Sequence, residues 1–72
     1  MEFTQRLKQY ETDFIETSII ISKTEAEFKM KSQEWKSSDE AEGVQYKLEY
    51  LRDFASHLES AIIELKSFLH NN

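Results

Sequence analysis

The chain has no cysteine, no proline and a single glycine among its 72 residues. Without cysteine, neither a disulfide nor a thiolate zinc site can hold so small a fold together. Without proline, nothing forces a break inside a helix. One glycine, Gly43, cannot build the glycine-rich loops that cradle phosphates. Long apolar runs are missing too. Near the N-terminus the longest stretch free of charge is Thr17-Ser18-Ile19-Ile20-Ile21-Ser22, far too short to cross a bilayer, so no membrane insertion is expected. Histidine is scarce, with only His57 and His70. Neither is placed for nucleophilic catalysis, which needs a Ser or Cys held by a His and an acid. His57 with Glu64 about two turns on makes two weak ligands, not a tetrahedral metal site. No catalytic residue, cofactor or metal is expected, and the chain does not read as an enzyme.

Basic charge is also short: 9 Lys and Arg against 14 Asp and Glu leave a net charge of −5. The cations are scattered among acids, without the basic stripe that phosphate binding requires, so no nucleic acid is expected as partner. Met1-Glu2-Phe3-Thr4-Gln5-Arg6 lacks the basic-then-apolar pattern of a secretory signal, and the expected location is the cytoplasm.

What the chain does have is helical periodicity. At alternating steps of four and three, Val44, Leu48, Leu51, Ala55, Leu58, Ile62, Leu65 and Leu69 form an uninterrupted apolar seam. Leu7, Phe14, Ile21, Phe28 and Trp35 recur every seven residues, a narrower stripe widened by Phe3 and Tyr10 at its start. The pattern predicts an all-α fold, a single domain over 1–72 in which two long antiparallel helices form a hairpin. The first helix is expected at about 3–36, a turn at about 37–43 and the second helix at about 39–69. Each arm is then roughly 45 Å long. Ser37 with Glu40 fits a capping box, while Gly43 marks a longer loop as the alternative. Residues 17–22, all β-branched or Ser, are poor helix formers and a candidate interruption. The tail His70-Asn71-Asn72 is expected to fray.

The expected hairpin core is Leu7, Phe14, Ile21, Phe28, Trp35, Val44, Leu48, Leu51 and Ala55. The second helix has more apolar surface than one neighbour covers, because Phe54, Ala61 and Phe68 form a row beside its seam. Phe54, Leu58, Ala61, Ile62, Leu65 and Phe68 are therefore the expected partner-binding residues. Ile15, Ile19 and Ile20 lie off the first stripe and are further candidates for contact with a partner. A chain this short buries too little to stand comfortably alone, so association with itself or another protein is the default.

Gln45-Tyr46 just after a short turn, followed by Leu58-Glu59-Ser60-Ala61-Ile62 in a closing amphipathic helix, resembles the YscE family, small hairpin co-chaperones of type III secretion needle subunits. Length, charge and the lack of cysteine fit as well. The resemblance is concentrated in 45–63, and the spacing between its two segments is longer here. It implies two partners in one heterocomplex: a larger tetratricopeptide-like chaperone, and the needle subunit kept unpolymerised in the bacterial cytoplasm before export. It is compatible with a homo-oligomer when the chain is alone. A competing likeness is the WXG100-like secreted hairpin, which dimerises into a four-helix bundle. Trp35-Lys36-Ser37 lacks the glycine of that motif. A small helical inhibitor or regulatory protein is the third reading.

Overall fold

The computed structural model describes residues 2–70 and contains three helices and no strand among them: α1 (Glu2–Lys29), α2 (Gln33–Lys36) and α3 (Asp39–His70). α1 and α3 pack against each other as an antiparallel hairpin, and the one-turn α2 sits across their closed end against α3. The fold is all-α, as the two apolar seams predict. Each seam returns to the same face every seven residues, so two helices hide both by lying side by side. The molecule measures 55 × 14 × 14 Å.

α1 carries Glu2 in its first turn and Lys29 in its last, both complementing the helix dipole. Residues 17–22 remain helical throughout. Thr17 is buried and Ile21 half-buried against α3, so packing outweighs the weak local propensity. Leu48 and Leu58 are buried at the middle of the hairpin, with Ala41 buried near its closed end. Leu7, Phe14, Phe28, Val44, Leu51 and Ala55 are half-buried along the same seam.

The first helix stops well before residue 36. α1 ends at Lys29, where the amides of Met30 and Lys31 bond back to Glu27 and Phe28 in a tightened last turn. Ser32 then offers the chain a new start: its hydroxyl accepts the Trp35 amide at 3.2 Å and caps α2. The gain from the bend is visible in the aromatics. In one continuous helix Phe28 and Trp35 would be about 10.5 Å apart along the axis. Here their ring centroids are 5.5 Å apart, edge to face, and Lys31 sits 5.3 Å above the indole. Trp35 therefore closes the core by folding back from α2 rather than by ending the stripe of α1.

The cap of α3 also differs from the expected Ser37–Glu40 box. Ser38 is the cap: its Oγ accepts the Ala41 amide at 3.2 Å and donates to the Trp35 carbonyl. Ser37 instead terminates α2, its amide and hydroxyl both bonding to the Gln33 carbonyl. Glu40 takes the indole Nε1–H of Trp35 at 3.2 Å. Gly43 lies inside α3 without a positive φ, so the chain reversal occupies 30–38 and not 37–43. His70 is the last residue of α3, and Asn71 and Asn72 lie outside the described residues.

Candidate partner-binding face

Two packed helices share one contact seam, and residues well away from it stay in water. On α3, Arg52 and Lys66 flank the seam on one side and reach α1, pairing with Glu25 and, at 3.4 Å, with Glu11. These exposed pairs close that side of the hairpin loosely. The other side of α3 carries the row Phe54, Ala61 and Phe68, together with Tyr46 and Tyr50. Phe54 is 42% exposed, Phe68 50% and Tyr50 71%. At 100° per residue Glu42, Asp53 and Glu64 fall within roughly 80° of the centre of this row on its outer edge, and all three are exposed. The result is an aromatic strip with an acidic rim.

At the open end, the strip runs into a groove between the helices whose lining includes Phe3, Arg6, Tyr10, Ala61, Glu64 and Phe68. Phe3 and Phe68 meet edge to face with centroids 5.4 Å apart. Both rings remain about half exposed.

The six expected partner residues therefore separate. Phe54 and Phe68 are on the surface, while Ala61 in their row and Ile62 and Leu65 in the seam are half-buried. Leu58, at 8% exposure, is a core residue, out of reach of any partner that leaves the hairpin closed. Its place follows from the step of four and three that it shares with Leu51 and Ile62. Tyr50 is the residue that the sequence reading passed over. It stands four residues before Phe54 and seven after Gly43, so the flanking row begins earlier than the Phe54-Ala61-Phe68 pattern suggests.

The accessible surface of 5886 Å² is roughly 1,200 Å² more than a compact monomer of 8.6 kDa exposes. The surplus is that of an elongated rod, 55 Å long and 14 Å across. Among the described residues no group of three or more His, Cys, Asp or Glu is gathered to hold a metal, and no helix is long and apolar enough to cross a membrane. No family model matches the chain, and no curated protein or solved structure matches it significantly.

Proposed function

We propose that this protein is a protein-docking hairpin that presents the aromatic strip of α3 to a concave helical partner. The observation that carries the reading is the strip itself: Tyr50, Phe54 and Phe68 are exposed in a row along a helix whose opposite flank is closed by ion pairs. The chemistry asks for an apolar groove with a basic rim, to meet the acids Glu42, Asp53 and Glu64. A tetratricopeptide-like repeat protein supplies such a groove on its concave side.

The finer form of the proposal follows the YscE-like segment at 45–63. The hairpin then acts as co-chaperone beside a tetratricopeptide-like chaperone, and together they keep a needle subunit of a type III secretion system from polymerising in the bacterial cytoplasm. Tyr46 of that segment lies on the exposed strip, and Ala61 lines the groove at its end. The hairpin contributes a helix face that it cannot cover itself, and the larger chaperone contributes the groove.

The test is affinity purification of the tagged chain from its native host, beside Phe54→Glu. Recovery of a helical-repeat protein with a small helical subunit, lost in the variant while its helical circular dichroism persists, supports the reading. Equal recovery with the variant overturns the assigned face. Recovery of the chain without any such partner overturns the co-chaperone role.

A further inference from the structure

α1 has a second apolar stripe that the hairpin does not use. Ile15, Ile19, Ser22 and Ala26 follow steps of four, three and four, and all four are exposed. On an ideal helix this stripe lies about 135° around from the seam that meets α3. Ile15 and Ile19 are each 58% exposed. With Ser18 and Ser22 they line a shallow groove together with Phe14 and Lys23, so every lining residue belongs to α1. The face is distinct from the aromatic strip, which belongs to α3.

We infer that this face of α1 docks against the same face of a second copy, with the two helices antiparallel. The argument is complementarity of size and charge. In an antiparallel helix pair each a position packs against a d position of the partner. Taking Ile19 and Ala26 as a and Ile15 and Ser22 as d, a twofold axis between residues 20 and 21 sets Ile19 against Ser22 of the other copy and Ile15 against Ala26. Every layer then joins one large side chain to one small one, which lets the backbones approach without leaving voids. The same register sets Glu16 beside Lys23 of the other copy on one edge, twice by symmetry. Ser18 and Glu25 meet on the other edge, and no like charges face each other there.

The parallel alternative is worse on both counts. It stacks isoleucine on isoleucine and serine on serine, and its flanking positions bring Glu11 against Glu16 of the other copy twice. Neither Glu16 nor Lys23 is held in an ion pair within the hairpin among the described residues. The antiparallel contact leaves α3 and its aromatic strip outside, and the inference stands without any particular partner for that strip.

The experiment is sedimentation equilibrium of the full chain from about 10 µM to about 1 mM, because a contact this narrow belongs to the small end of specific interfaces. The mass is expected to rise from 8.6 kDa toward twice that value. Glu16→Lys and Lys23→Glu should each weaken association roughly tenfold, since each replaces two attractive pairs with two repulsive ones. The double variant carrying both changes should recover it. Ile19→Arg should remain helical and monomeric, while Phe54→Glu should still dimerise. A chain that stays monomeric throughout, a double variant that fails to recover, or a dimer lost through Phe54→Glu overturns the inference. Orientation is read separately with a spin label on Lys8→Cys, which is unique in a chain free of cysteine. The antiparallel register offsets the two labels by about 37 Å along the axis, and labels found close together refute it.

Discussion

Replacing Gly43 with alanine discriminates between the observed chain reversal and the one that the glycine suggests. In the structure Gly43 is the fifth residue of α3, has no positive φ, and a Cβ built on it meets nothing within 4 Å. Alanine there adds no clash and removes the entropic cost of holding glycine in a helix, about 0.5–1 kcal/mol. Unfolding entropy near 2.1 cal/mol/K per residue amounts to about 0.15 kcal/mol/K for a chain of this length. The midpoint of thermal unfolding should therefore rise by about 3–7 °C. The assay is far-UV circular dichroism at one fixed chain concentration, because self-association makes the midpoint concentration-dependent. A lowered midpoint would refute the reasoning. It would mean that residue 43 turns the chain in a left-handed conformation and that α3 begins after it.

The two serines at the reversal should differ. Ser38→Ala removes the cap of α3 and should cost about 1 kcal/mol in chemical denaturation, whereas Ser37→Ala, whose hydroxyl makes one exposed bond to Gln33, should stay within about 0.5 kcal/mol of the parent. Equal losses would return the cap to Ser37. Leu58→Ala should separate core from docking face: truncating a buried leucine costs about 2–5 kcal/mol, a large part of the stability of any small domain. The expected result is a broad, early thermal transition, and an unchanged one would place Leu58 on the surface.

A period of three and four is a property of one helix and its own residues, so it is legible without any knowledge of the partner. The unbroken series from Val44 to Leu69 and the sevenfold spacing from Leu7 to Phe28 were enough to specify two long helices and the seam between them. Their antiparallel arrangement follows because a connection too short for a crossover leaves no other way to bury both seams. The ends of the helices were not legible in the same way. Ser32, Ser37 and Ser38 all have the side chain of a cap, and choices among them differ by about one hydrogen bond, near 1 kcal/mol. That small difference is settled by something nonlocal: Trp35 reaches Phe28 and Glu40 only if the chain bends at 30–32 and α3 starts at Asp39.

The candidate face was legible in part for a related reason. Phe54 and Phe68 announce themselves as apolar residues beside a seam already complete. Leu58, expected on the partner face, is buried, and Tyr50, which was not among the expected face residues, is exposed, because burial depends on how the two helices pack and not on the residue alone. Where α1 and α3 pack together, a leucine on the shared step disappears from water; a tyrosine one row away keeps 71% of its surface. Composition and period thus specify that the chain folds as a hairpin and cannot cover all its apolar surface. Only the packed pair shows which side is left open, because a two-helix cross-section has room for one buried seam.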